Sequence, residues 1–330
     1  MSIDWNIPKI DAHVHFNTIR TPLLSYGKKN NIRFLSINTD IPFFPSIDDQ
    51  ENAILALKKE YQDHLDYITT FSCDQWNSET WLKNSIDRIK KSIDKGALGI
   101  KVWKNIGMSL KDNQGTYIKI DHPSFDPIFN FIAENNLVLL GHIGEPKNCW
   151  LPLDEMTVDQ DRKYFASHPE YHMFLHPEYP DYQDHLNARN NVLSKHPTLN
   201  FVGLHLSSQE WETNEVALFL DTYPNAMVDL AERICHVQHQ AVTNWQKVYD
   251  FFIKYQDRII YGSDVIDDNS LTDEELLHYM DGRYKMHWEF FTKNNHMAAP
   301  KVTGQFKGLG LPDHVIKKIY HDNALNTYKL

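Results

Sequence analysis

The chain is poor in the features that mark several protein classes. It has three cysteines in 330 residues, Cys73, Cys149 and Cys235, odd in number and widely spaced, which suits reduced thiols rather than a disulfide framework. It has no long apolar run: stretches such as those at residues 137–140 and 201–204 fall far short of the ~18 residues a membrane span requires. The N-terminal stretch carries Asp4 and no basic segment followed by an apolar one, so no secretory leader is expected and the cytoplasm is the expected compartment. Basic side chains are outnumbered, 33 against 44 acidic, for a net charge of −11 with histidine neutral. Such a surface repels phosphate backbones, and nucleic acid is not an expected partner. A buried metal ion would still draw a small anionic substrate locally. No G-x-G-x-x-G or Walker-type run follows an early apolar segment, which argues against a nucleotide-binding open sheet.

What is present is an ordinary folded composition, 42% apolar and 23% charged, with no repeat of fixed period. Short β-branched or aliphatic runs recur eight times, at residues 10–15, 32–37, 67–71, 98–103, 137–142, 201–205, 226–230 and 258–261. Between them lie stretches with helical periodicity, among them "DDQENAILALKKEYQDH", "SETWLKNSIDRIKKSIDKG", "DPIFNFIAENN" and "NWQKVYDFFIKYQD", with Gly96 placed as a helix C-cap. Buried strands alternating with helices specify a parallel sheet covered by helices, and eight such units close most naturally into one barrel. The expectation is a single α/β domain over residues 1–330, a (β/α)8 TIM barrel with a long insertion after strand five and a C-terminal helical extension. A doubly wound open sheet is the alternative.

In such a barrel the active site lies at the C-terminal ends of the strands. Four of the runs close on polar residues: "IDAHVHF" on His13 and His15, "LVLLGHIGEP" on His142, "NFVGLHLSS" on His205 and "RIIYGSDV" on Asp264. Residues i and i+2 of a strand share a face, so His13 and His15 present two imidazoles side by side. With 18 histidines, one His-x-His arises by chance about once; marks at the ends of runs one, five, six and eight together do not. Five potential ligands converge on one mouth, and neutral imidazoles with one carboxylate suit Zn²⁺, with Mn²⁺ or Fe²⁺ accepting the same set.

This constellation resembles the amidohydrolase superfamily, metal-dependent (β/α)8 enzymes marked by His-x-His after strand one, His after strands five and six, and Asp after strand eight. It is most similar to the amidohydrolase-related branch, which includes lactone hydrolases and the decarboxylases of aminocarboxymuconate semialdehyde and hydroxybenzoates. "LSKHPTLNFVGLH", "YPNAMVDLAER" and "IYHDNALNTY" support that placement. The resemblance implies a divalent metal, zinc first, held by His13, His15, His142 and Asp264. Asp264 would also take a proton from an activated water, and His205 would stand outside the metal, on the substrate carbonyl. The implied reaction is hydrolysis of an ester, lactone or amide bond in a small, carboxylate-bearing substrate, with non-oxidative decarboxylation of an aromatic or muconate-type acid as the alternative. A phosphoesterase of the PHP or TatD type is a further alternative, weakened because run three ends "TTFSCD" and run four supplies lysine. In binuclear relatives a strand-four lysine, carbamylated, bridges two ions. Lys101 or Lys104 of "GIKVWKNIG" could do so, but the preferred reading is one metal and a cation, Lys101, for a substrate carboxylate.

Arg233, in "VDLAERI", would hold a substrate carboxylate or pair with Asp229 or Glu232. Residues 144 to about 181 are too many and too aromatic for a βα connection of roughly 2–6 residues, so a lid is expected there, with Trp150 and Tyr171 as an apolar wall. His168, His172 and His176 stand at i, i+4 and i+8, a second metal site only on a continuous helix, which Pro169 and Pro177 oppose. The expected partner is a small molecule; the sequence leaves homo-oligomerisation open.

Overall fold

The computed structural model describes residues 7–330; Asp4 and the stretch on which the leader expectation rests lie outside the described residues. Nine strands form one curled, parallel sheet: β1 (Lys9–Phe16), β2 (Ile32–Ile37), β3 (Leu65–Thr70), β4 (Ala97–Val102), β5 (Val138–Gly141), β6 (Asn200–Gly203), β7 (Ala226–Asp229), β8 (Ile259–Ile260) and β9 (Val265–Asp267). The neighbours run β8-β7-β6-β5-β4-β3-β2-β1-β9. The extra strand, β9, lies beyond the predicted eighth run, which ends at residue 261, and begins directly after Asp264. β8 pairs with β7 and β9 with β1, while Tyr261 between them accepts the Ala12 N–H through its carbonyl at 3.1 Å. The interrupted eighth strand therefore bridges both edges of the sheet, consistent with the expected (β/α)8 barrel.

The predicted helical stretches form Ile47–Tyr61, Trp81–Asp94, Asp126–Glu134 and Trp245–Lys254. Ser46 and Asn244 cap the first and last by accepting the N–H of Asp49 and Lys247. Gly96 follows the second with φ +98° and donates its N–H to Ile93 O, as a C-terminal stop should. No helix among the described residues is long and apolar enough to cross a membrane.

The core has two layers. Ile10, Ala12, Leu35, Ile37, Ile68, Val138, Leu140, Val202 and Ile260 pack together on one face of the sheet. The larger cluster, including Phe34, Tyr67, Ile89, Phe129 and Val248, fills the other face under the helices. The C-terminal helix Asn323–Tyr328 brings Ala324 and Tyr328 onto the first of these clusters, and Asn323 donates Nδ2 to the carbonyls of Gln256 and Ile259 at 2.7 Å. The expected C-terminal extension is thus a plug against the sheet's inner residues.

After β5 the chain departs from the sheet. Residues 142–181 make four short 3-10 turns and one helix, Asp159–Ser167, around a separate small core of Cys149, Met156, Phe165 and Met173. Pro169 and Pro177 do break the periodicity: His168, His172 and His176 spend ring nitrogens on the carbonyls of Tyr164, Leu151 and Pro169.

Candidate metal centre

β1 positions two imidazoles through a break in its own alternation. Ile10 and Ala12 belong to the inner cluster, whereas Val14 and Phe16 belong to the outer one, and the pairing with β2 shifts between Asp11 and Val14. A bulge that flips parity turns His13 and His15, otherwise destined for the helical side, onto the inner face. The opposite edge is held by Asp11, fully buried, which accepts the N–H of Ser263 at 2.9 Å, that of His13 at 3.3 Å and the hydroxyl of Tyr284 at 2.5 Å. One carboxylate thereby fixes both the histidine strand and the gap in the eighth strand.

Asp264 closes that gap in the left-handed region, φ +61°, its N–H donated to His13 O at 2.7 Å. Two residues earlier, a Cβ on Gly262 would stand 2.7 Å from His13 Cβ. Gly262→Ala must push β1 away, so a loss of about 1–3 kcal/mol in stability is expected, with lower metal content than wild type. Calorimetric melting and elemental analysis check both; a wild-type melting temperature and metal content would show that the eighth strand yields instead.

The imidazoles are fixed one by one. His13 Nδ1 lies 2.6 Å from Asp229 Oδ2, His15 Nδ1 2.6 Å from Ile37 O, and His205 Nδ1 2.9 Å from Ala231 O. All three partners only accept, so each Nδ1 carries the proton and each Nε2 is a bare lone pair. Yet His13 Nε2 and His15 Nε2 face Asp264 Oδ1 at 3.2 and 3.4 Å. His205 stands over His13 and His142, with ring centroids 5.0 and 4.2 Å away, and His142 Nε2 is buried with no hydrogen-bond partner among the described residues, as is that of His13. Burial pushes all four imidazoles below their usual range, His205 to about 3, so they are neutral. Lone pairs and a carboxylate oxygen turned on one another in a buried pocket repel unless a cation lies among them. The contacts to Asp229 and to backbone carbonyls are the outer partners that metal-binding imidazoles require. Ligands of a tetrahedral ion bound at ~2.0–2.2 Å stand about 3.3–3.6 Å apart, close to the 3.2 and 3.4 Å found around Asp264. The residues present fit a divalent metal.

Asp229 is the residue the sequence reading underused. It closes β7 as the other polar residues close theirs, and besides His13 it accepts the His205 N–H at 2.5 Å. The predicted sixth run does not reach His205 as strand. β6 ends at Gly203, and His205, Leu206, Ser207 and Ser208 all have φ near +58°. Each left-handed residue costs about 1–2 kcal/mol. The turn is held by Asp229, by Arg189 on Ser207 O and Oγ, and by Ser208 Oγ donating to Ile143 O at 2.7 Å.

The charges of Lys101 and Arg233 act on the histidine cluster. Lys101, at the end of β4, is 2% exposed, and its ammonium group has no hydrogen-bond or ion-pair partner among the described residues. Burial brings it down to about 8, with Asp264 and Asp229 opposing the shift. Lys104 pairs instead with Glu145. Arg233 makes neither of its expected ion pairs: Asp229 serves His13, and Glu232 serves Arg283 and Lys301. Trp150 is half-buried in the insertion against Tyr182 and His185, with ring centroids 5.6 and 5.7 Å away.

The amidohydrolase family model matches residues 75–330 of the chain. No curated protein matches it. Among solved structures the chain is similar to 2,6-dihydroxybenzoate decarboxylase from Rhizobium, at 12% identity and TM-score 0.55, over 98% of each chain. It is also similar to 4-oxalomesaconate hydratase from Rhodopseudomonas palustris, at 12% identity and TM-score 0.51, over 97% of this chain and 95% of that one. A third is 5-carboxyvanillate decarboxylase from Novosphingobium aromaticivorans, solved with bound manganese, at 14% identity and TM-score 0.50, over 99% of this chain and 98% of that one.

Proposed function

The chain belongs to the amidohydrolase family, and from that premise we propose that it is a metal-dependent decarboxylase of a small carboxylic acid. The observation that carries this is Lys101: a buried, unpaired ammonium group beside the histidine and Asp264 cluster, in a chain of net charge −11. A cation held in a largely buried position without a protein partner is stabilised when an anion joins it. Similarity to two decarboxylases of aromatic acids supports the same reading.

In this reading His13, His15, His142 and Asp264 hold one divalent ion, zinc by ligand type, with manganese or iron(II) also accepted. Such an ion supplies Lewis-acid stabilisation of negative charge on a substrate oxygen. Lys101 holds the reacting carboxylate, and Trp150 forms an apolar wall under the insertion, which roofs the pocket. His205, its Nδ1 spent on Ala231, offers Nε2 as an acceptor for a substrate hydroxyl rather than as a donor to a carbonyl. The balance is R–CO₂⁻ + H⁺ → R–H + CO₂, so one proton must be delivered to carbon.

Hydrolysis of an ester, lactone or amide is the second reading. It is favoured by the Asp264 side chain, 22% exposed where that of Asp229 is 2%, and so placed to take a proton from water. Product analysis separates the two: hydroxybenzoates and muconate-type acids, esters and lactones are incubated in ¹⁸O-water. Carbon dioxide without ¹⁸O in the organic product is expected; ¹⁸O incorporation without carbon dioxide would assign hydrolysis. Elemental analysis should find one divalent metal per chain, and less than ~0.2 equivalents after expression with zinc and manganese would contradict a preformed site.

A further inference from the structure

A second buried cation beside the histidines has no ion-pair partner among the described residues. Arg233 follows β7 at the start of the helix Ile234–Thr243 and is 8% exposed. Its charge acts on His13, His142 and His205, and that of Lys101 acts on His13, His15 and His142. The two cations thus flank one cluster from the β4 and β7 sides.

The guanidinium is nearly unused. Nε is buried without a hydrogen-bond partner among the described residues, and the side chain's one hydrogen bond there, Nη1 to Glu232 O, is long at 3.4 Å. The carboxylates around it make their hydrogen bonds and ion pairs elsewhere, although Glu210 Oε2 is buried without a partner among the described residues. Glu210 gives Oε1 to the Lys147 N–H at 2.9 Å, and Asp161 gives Oδ2 to Asn148 at 2.9 Å and stands 3.2 Å from His236. Glu232 pairs with Arg283 and Lys301, and Glu145 with Lys104. Glu210 and Asp161 balance the charge of Arg233 at a distance and hold it above its ordinary value against the effect of burial, but none of these four carboxylates forms an ion pair with it among the described residues. A planar fork of N–H donors, desolvated and unfilled, matches a carboxylate in bidentate fashion.

We infer that the substrate is a small dicarboxylic acid, with its reacting carboxylate at Lys101 and its second carboxylate in the fork of Arg233. The inference rests on the reading of Lys101 given above. It separates this chain from an enzyme for a monocarboxylate, for which a second unpaired buried cation would be an unrewarded cost.

The test is isothermal titration calorimetry on the full-length, metal-loaded protein. The probes are benzene-1,2- and benzene-1,3-dicarboxylate against benzoate, and trans,trans-muconate against sorbate. At least one diacid should bind about tenfold or more tighter than its mono-acid counterpart, the worth of hydrogen bonds to a charged group, and Arg233→Met should abolish that preference. No preference in any pair, or a preference that survives Arg233→Met and so belongs to the metal alone, would overturn the inference. Should Arg233→Met fail to fold, Arg233→Lys decides, because it keeps the charge beside Glu210 and Asp161 but loses the fork. A reduced diacid preference in it supports the inference and an unchanged one defeats it. Carbon dioxide release, measured in parallel, keeps the two claims apart. Carbon dioxide released from a mono-acid, with no diacid preference in binding, leaves the decarboxylase standing without the diacid, and Arg233-dependent diacid binding with no carbon dioxide from any acid does the reverse.

Discussion

Asp264→Asn is expected to lower kcat by at least about 10²-fold, the usual worth of a positioned acid or base, without unfolding the protein. The position suits the substitution, because Asp264 sits at φ +61° and asparagine tolerates the left-handed region as well as aspartate does. Its N–H contact to His13 O is a backbone bond and survives. What changes is the oxygen facing His13 Nε2 and His15 Nε2, which loses its negative charge. Under either chemistry proposed, that carboxylate is both a ligand and the group placed to move a proton. Metal content should therefore fall together with kcat while the melting temperature stays near that of wild type. Turnover at the wild-type level in this variant would remove Asp264 from the chemistry altogether.

The residues that carry this prediction were legible because each ends an apolar run, and a run's end is where a parallel barrel places its chemistry. The same logic covers Asp229, which closes β7, but an aspartate followed by "LAER" reads equally as an ion-pair partner for the arginine. Only the fold shows that it faces His13 and His205. Two further features depend on contacts between distant segments. The parity flip in β1 is a matter of register against β2, and its inward direction follows from which cluster Val14 joins. The break in the eighth strand follows from the close approach of Gly262 to His13, over a sequence separation that no local propensity reports. The run "FVGLH" looks continuous, yet its last residue leaves the strand because Asp229 and Arg189 pay for a left-handed turn there. Local pattern thus placed the histidines and Asp264 at one end of the sheet, and long-range contacts decide how each one is aimed.

Asp229→Asn tests that aiming. Asp229 touches no position a substrate would occupy: its side chain is 2% exposed, and its two oxygens are spent on His13 Nδ1 and His205 N. Its carboxylate keeps the His13 proton on Nδ1 and so keeps Nε2 bare toward Asp264. An amide in its place can turn its NH₂ toward His13, which moves the proton to Nε2 and removes a ligand without deleting any ligand residue. Loss of such an outer partner typically lowers metal affinity or activity about 10–100-fold, and that range is expected here, read as a raised dissociation constant in competition with a chelator and as lower turnover at saturating metal. Asp229→Ala should do more, since it leaves both the His13 N–H and the left-handed His205 N–H unpaired in a buried site, at about 1–3 kcal/mol each. Its melting temperature should therefore fall, whereas that of Asp229→Asn should fall less. Wild-type metal affinity in Asp229→Asn would mean that the orientation of His13 is set by packing alone, and the role of β7 in the site would reduce to carrying Arg233.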